Sequence, residues 1–222
     1  MAEESQKWLD KIRMRNRLLK LAPWLERVAE WRQLLRAGRR WRTEGYFSPV
    51  PYFTRRAQLL QVGKHIGAEV AVETGTYRGD TTAFLARHFR ETHTIEVVPA
   101  LADLARDRFT NQPSITVWDG DSSDVLRSLL PQLKGATLFY LDGHDSGGVT
   151  GKGLKACPVH EELEIIYGSG KNRISVVIDD ARLFGTDPDY PTISEVRQWM
   201  ERLRPVAIVR VEHDAIVIED AP

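Results

Sequence analysis

A single cysteine, Cys157, among 222 residues excludes an internal disulfide and any metal site built from cysteine alone. One thiol and no apolar signal segment lead to the expectation of a cytoplasmic location. No apolar run approaches the roughly 20 residues that a transmembrane helix requires. Charge of one sign is also missing: 31 basic residues face 31 acidic ones, which argues against a dedicated nucleic-acid binder. Neither an internal repeat nor a low-complexity segment interrupts the chain. What remains is a hydrophobic content of 42%, enough for the core of one α/β domain of ordinary size carrying an appendage. The division is placed at residues 1–50 for the appendage and 51–222 for the domain.

The appendage has its own pattern. Trp8, Leu9, Ile12 and Leu19 recur at helical spacing, and beyond Pro23 so do Trp24, Val28, Trp31 and Leu35, with Arg27, Arg32, Arg36, Arg39 and Arg40 between them. Two basic amphipathic helices are expected. The favoured reading is an N-terminal helical arm whose tryptophan face packs on the domain or on a second subunit. The other reading is an anionic membrane surface, which suits Trp beside Arg.

Prolines between Phe47 and Pro51 break the helix, and a further helical pattern through Leu59, Leu60, Val62 and Ile66 ends at Gly67. Strands are then expected at about 69–73, 94–97, 115–118, 137–141 and 174–178. Helices are expected at 81–89, 99–109, from Ser123, at 159–167 and at 193–203. Such alternation implies a doubly wound, mostly parallel sheet. The last two β runs, 206–212 and 215–219, are separated by little more than His213-Asp214, too short a link for a crossover helix. They must form a C-terminal antiparallel hairpin, completing a seven-stranded sheet.

In the stretch from Ala71 to Thr82 an apolar run stops at Glu73, and Gly75 and Gly79 lead into a helix. Glycines allow a sharp turn and close approach of a ligand, and the free N–H groups of the helix start complete a nucleotide-cofactor loop. The spacing E-x-G-x-x-x-G differs from the dinucleotide fingerprint, and Glu73 stands where pyrophosphate needs room. A positively charged cofactor suits it better. Glu96 closes strand two about twenty residues beyond the glycine loop, the place of a carboxylate that holds ribose hydroxyls. Asp121 after strand three is placed to accept from an adenine amino group, the alternative being that Ser122 or Ser123 only caps the next helix.

Strand four runs into Asp142-Gly143-His144-Asp145 and strand five into Asp179-Asp180-Ala181-Arg182. Three carboxylates at adjacent strand ends would repel one another, and a hard divalent cation would resolve the repulsion through oxygen ligands. In the alternative, Asp142 binds cofactor, Asp179 caps a helix and Asp180 pairs with Arg182 or another arginine. Gly147, Gly148, Gly151 and Gly153 make a permissive loop that would close over substrate or serve as a turn-rich insertion. His160, Glu161 and Glu162 are read as a solvated helix face.

Taken together, Glu73-Thr-Gly75-Thr-Tyr-Arg-Gly79, Glu96, Gly120-Asp121-Ser122, Asp142 and Asp179-Asp180 resemble the motif series of class I S-adenosylmethionine-dependent methyltransferases. The three acidic positions are similar to those of the metal-dependent O-methyltransferases, of the catechol and macrolide-sugar types. The likeness runs from about Ala68 to the C-terminus and leaves the arm uncovered. It implies a Rossmann-like methyltransferase fold and S-adenosylmethionine (SAM) held by Glu73, Gly75, Thr76, Tyr77, Gly79, Thr81, Glu96, Asp121, Ser122 and Asp142. It also implies Mg²⁺ on Asp142, Asp179 and Asp180, drawing two substrate oxygens toward the methyl group. The chain departs from the catechol pattern at the base: a lysine stands there three residues beyond the strand-four Asp, whereas this chain has Asp145 with His144 beside it. Neutral imidazole makes His144 the stronger base candidate near neutral pH, with Asp145 the other.

The expected activity is methyl transfer to a hydroxyl of a small molecule, whether natural product, sugar or phenol. The N/D-P-P-Y/F motif of amino-methylating enzymes is absent after strand four, so no nucleic-acid partner is expected. A homo-oligomer is expected, with peripheral membrane contact through the arm as a further reading. Two other functions stay open: a metal-independent methyltransferase, and a non-catalytic cofactor-fold scaffold anchored by the arm.

Overall fold

Alternation of apolar side chains sets the centre of the molecule. In β4 (Thr137–Leu141) Leu138 and Tyr140 enter one core and Phe139 and Leu141 the other, and the same period of two divides β1 (Val70–Thr74), β5 (Ile174–Ile178) and β7 (Ala215–Asp220). Both faces of the sheet are therefore covered. The computed structural model describes residues 2–22, 24–25, 27–28, 31–32, 36, 50–143, 157–171 and 173–220.

Between these strands lie α1 (Ala2–Leu21), α2 (Tyr52–Ile66), α3 (Asp80–Leu85), β2 (Glu91–Glu96), α4 (Pro99–Phe109), β3 (Ile115–Asp119), α5 (Ser122–Leu129), α6 (Val159–Gly168), α7 (Ile193–Leu203) and β6 (Ala207–Glu212). The sheet has seven strands in the order β3-β2-β1-β4-β5-β7-β6. All neighbours run parallel except the pairs β5·β7 and β6·β7. This is the doubly wound sheet with a C-terminal antiparallel hairpin that the sequence led us to expect. Helices α5, α6 and α7 cover one face through Leu126, Leu163 and Val196; α2 and α3 cover the other through Leu59 and Phe84.

Element boundaries follow local chemistry where that chemistry is strong. Gly67, in the left-handed region at φ 63°, stops α2 by turning its N–H back onto the last carbonyls. The Thr192 hydroxyl and Glu195 form a capping box that starts α7. One strand departs from expectation. β2 begins at Glu91, three residues earlier than its apolar content suggested, because Thr92 and His93 are buried between β1 and β3 despite being polar. Conversely, α3 ends at Leu85, and residues 86–90 form turns instead of continuing the helix to Phe89.

The arm divides into two parts. α1 lies on α4, burying Ile12 against Leu101 and Leu104 with Trp8, Leu9 and Val98 at the margin. Asn16 Nδ2 donates to the Leu104 carbonyl (3.1 Å) and Lys20 pairs with Asp107 (2.6 Å). Packing of this half on the domain agrees with the favoured reading. Farther along, Trp24 and Trp31 are 61% and 60% exposed, so their expected packing on the domain is not found within the chain. Leu35 lies outside the described residues. Among the described residues no helix is long and apolar enough to cross a membrane.

Candidate functional site

The order of strands reverses between β1 and β4, and an open α/β sheet presents its ligand crevice at the carboxyl ends of the strands flanking that point. Gly75 leaves β1 at φ 86° and is so close to the end of β4 that an added Cβ would lie 2.8 Å from the carbonyl carbon of Asp142 and 3.0 Å from Gly143 Cα. Only glycine permits that approach. Gly79, at φ 71°, caps α3, and a Cβ there would strike the Phe109 ring at 2.8 Å.

Between the two glycines Tyr77 also takes a positive φ, 48°. Its N–H donates to Glu96 Oε2 (2.8 Å), while the Val98 N–H donates to Oε1 (3.0 Å). Glu96 is therefore the post that holds the glycine loop to the end of β2. Burial pushes its carboxyl above the ordinary range, and the backbone N–H groups of Val98, Tyr77 and Val97 oppose that push. The Tyr77 ring lies against Trp8 of the arm, with centroids 5.6 Å apart.

Three of the expected cofactor residues have side chains engaged inside the fold. Glu73 Oε2 accepts from the hydroxyls of Thr82 (2.5 Å) and Thr94 (2.8 Å). Burial raises its pKa from 4.5 to about 7, opposed by those two hydroxyls and assisted by the charges of Glu96 and Asp80. The Thr76 hydroxyl meets that of Thr94 at 2.6 Å, and the Thr81 hydroxyl meets that of Tyr52 at 2.6 Å. These side chains brace the loop from beneath. Asp121 is itself the cap of α5, accepting from the Ser123 N–H (3.0 Å), so the capping that the alternative reading gave to Ser122 or Ser123 falls to Asp121.

At the end of β4 the Tyr140 hydroxyl donates to Asp142 Oδ2 (3.2 Å) and to Asp179 Oδ2. Arg55, from the first turn of α2, brings Nη2 to Asp179 Oδ1 (2.5 Å) and to the Asp214 carbonyl (2.8 Å). Asp180 pairs with Arg182 (2.7 Å), which also reaches Asp214. Burial lifts the Asp142 carboxyl well above the usual carboxylate range, with the facing charges of Asp179, Asp180 and Glu73 adding to it. Asp180 is raised as well, first by burial and then by Asp179, against the pull of Arg182.

The carboxylate chemistry suits a hard divalent cation, but the arrangement does not: two of the three expected ligands have arginine partners. Among the described residues no three His, Cys, Asp or Glu side chains form a group that could hold a metal ion. The salt-bridged alternative matches Asp180 and Arg182. The base candidates His144 and Asp145, and the glycines at 147, 148, 151 and 153, lie outside the described residues.

Sequence reasoning missed three side chains at the site. Arg55 stands four and seven residues before Leu59 and Val62, on the apolar face of α2, so its spacing signalled burial. Tyr140 sits in an apolar strand, and only the fold reveals that its hydroxyl reaches two carboxylates. Glu162 was placed on a solvated face with His160 and Glu161. That placement holds for Glu161, which pairs with Arg127 (2.8 Å), and for the half-exposed His160 over Trp199, but Glu162 is fully buried. Its neighbours Val159, Leu163 and Ile166 mark the buried stripe of α6. Burial pushes the Glu162 pKa from 4.5 to about 7, while the nearby Ser122 and Thr74 hydroxyls oppose the rise.

Strand order and C-terminal hairpin form a Rossmann-like methyltransferase fold. No protein-family model and no curated protein sequence matches the chain; the likeness is structural. The O-methyltransferase TomG from Streptomyces achromogenes, involved in tomaymycin synthesis and solved in complex with SAM, superposes with a TM-score of 0.53 at 20% identity, over 82% of this chain and 84% of that one. An O-methyltransferase from Bacillus cereus in complex with SAH gives 0.54 at 18% identity, over 78% and 80%. The SAH-bound methyltransferase PaMTH1 from Podospora anserina gives 0.52 at 16% identity, over 76% and 78%.

Proposed function

We propose that this chain is a SAM-dependent methyltransferase that modifies a hydroxyl of a small molecule. The observation that carries the proposal is the loop at Gly75, pressed onto the end of β4 at Asp142 and tied through the Tyr77 N–H to Glu96. That contact, which a Cβ at Gly75 would break, holds the two loops side by side at the strand ends, bordered by carboxylates suited to a cofactor with an ammonium, a sulfonium and ribose hydroxyls. Structural neighbours bound to SAM or SAH support the same reading.

When bound, SAM supplies an electrophilic methyl group, and the chain supplies alignment and proton transfer. Glu96, with the glycine loop it anchors, would orient the ribose, Asp121 and Ser122 would border the adenine, and Asp142 would face the positively charged end. The acceptor hydroxyl would have to give up its proton, for which His144, with Asp145 beside it, is the proposed acceptor. In a metal-dependent form Asp142, Asp179 and Asp180 would hold Mg²⁺. The Arg55–Asp179 pair favours the metal-independent form. For the arm, exposed Trp24 and Trp31 support a second copy of the chain as the partner, with an anionic membrane surface as the competing outcome.

Calorimetry with SAM and NAD, followed by transfer of labelled methyl to a panel of phenols, sugars and aliphatic alcohols, tests the function. SAM binding with label in an alcohol or phenol is expected. Tight NAD binding without SAM binding would overturn the reading, and no affinity for either would leave the scaffold alternative.

A further inference from the structure

The ion pair between α2 and the end of β5 joins elements 124 residues apart and explains what balances the acid cluster. We infer that Arg55 is the built-in cation of this site: its guanidinium occupies Asp179 where a divalent ion would have to bind, and it positions that carboxylate without a metal. The inference deepens the methyltransferase reading and rests on it only for where the chemistry takes place.

Asp179 has little capacity left. Oδ1 accepts from Arg55 Nη2 (2.5 Å) and from the Asp180 N–H (2.8 Å), and Oδ2 accepts from the Tyr140 hydroxyl. Both oxygens are engaged before any ligand arrives. Arg55 is equally fixed. Its side chain is 4% exposed, Nη2 also donates to the Asp214 carbonyl (2.8 Å), and Nη1 donates to Gln58 Oε1. Gln58 is in turn held by its own donation to the Glu212 carbonyl (2.9 Å). The guanidinium is thus clamped between α2 and the β6–β7 turn.

A cation ligated by Asp179 would have to expel Arg55, leaving a buried guanidinium unpaired, or bind beside it against like-charge repulsion. Arginine does not escape by losing its proton. Through Tyr140, which bridges Asp179 and Asp142, the same clamp reaches the carboxylate next to the glycine loop. Arg55 is therefore a positioning residue for both acids.

The test uses Mn²⁺ as the probe, followed by electron paramagnetic resonance on the full chain with and without SAM. The unmodified protein is expected to leave the free-ion signal undiminished. Arg55→Ala is expected to gain saturable binding that diminishes the free-ion signal, lost again when Asp179→Asn is added. Arg55→Lys, which keeps one positive charge, is expected to behave like the unmodified protein. Tight Mn²⁺ binding by the unmodified chain that Asp179→Asn abolishes would overturn the inference, as would a folded Arg55→Ala that gains no affinity. Near-ultraviolet circular dichroism reports whether the variants fold. Should Arg55→Ala fail to fold, Mn²⁺ titrations of the unmodified chain and of Asp179→Asn decide alone. SAM calorimetry on the same samples separates failure of the cofactor reading, which would leave the Mn²⁺ result standing.

Discussion

Gly75 and Asp142 come from strands on either side of the point where strand order reverses, and their backbones approach so closely that a Cβ on Gly75 would lie 2.8 Å from the Asp142 carbonyl carbon. Gly75→Ala must adopt φ 86° with a side chain and move the β4 loop. Left-handed backbone costs about 1–2 kcal/mol, and displacement of packed neighbours adds about 1–3 kcal/mol. A lower melting temperature is expected, together with at least about a tenfold loss of SAM affinity by calorimetry. Unchanged affinity in a folded Gly75→Ala protein would show that the two loops do not form the cofactor cradle.

Glu96 offers a second test of the cradle. Its carboxylate accepts from two backbone N–H groups, and Glu96→Gln would turn an amide donor toward one of them. Hydrogen bonds to charged groups contribute about 1.5–3 kcal/mol each. Glu96→Gln should therefore destabilise the fold measurably in urea and weaken SAM binding more than it weakens stability-matched controls. Equal SAM affinity in Glu96→Gln and the unmodified chain would limit Glu96 to a structural post.

Buried carboxyls give a direction to the pH dependence. The Glu162 pKa rises from 4.5 to about 7 on folding. Between those values the folded state holds a proton that the unfolded state has released, so stability falls as pH rises through that window and then levels off. The loss amounts to at most about 3–4 kcal/mol, since each unit is about 1.4 kcal/mol. Glu73 is raised over the same window and adds to the slope. Urea denaturation across the window should show the decline for the unmodified chain and a shallower one for Glu162→Gln. An identical slope in the variant would assign the proton uptake elsewhere.

Contact between the arm and the glycine loop is open to the same kind of test. Ile12 is buried against Leu101 and Leu104, and Ile→Ala at such a position costs about 2–5 kcal/mol. Because α1 packs on α4 in a small cluster apart from the two cores of the sheet, that cost should appear as release of α1 more than as global unfolding. Ile12→Ala should therefore quicken proteolysis within α1 and alter Tyr77 exposure through loss of Trp8. Global unfolding with α1 still protected would mean that the arm and domain are a single cooperative unit.

The sequence by itself determined the sheet and the place of the crevice. Short, nearly continuous apolar runs at 137–141 and 174–178, alternating with helical patterns, point to a parallel sheet buried on both faces, a two-residue link forbids a crossover, and the paired glycines after the first apolar run mark a turn. It could also locate the carboxylates, since strand ends are readable once strands are. Tertiary structure alone decided which partner each carboxylate has. Polar side chains pair through space, and the guanidinium that neutralises Asp179 comes from a helix 124 residues earlier, a distance over which no local pattern carries information. The same reason shifted the start of β2, expected at 94 and found at Glu91, since Thr92 and His93 are polar yet central where β1 and β3 close on both sides. It also concealed Glu162, whose charge suggested solvent while the stripe of Val159, Leu163 and Ile166 carried it into the core.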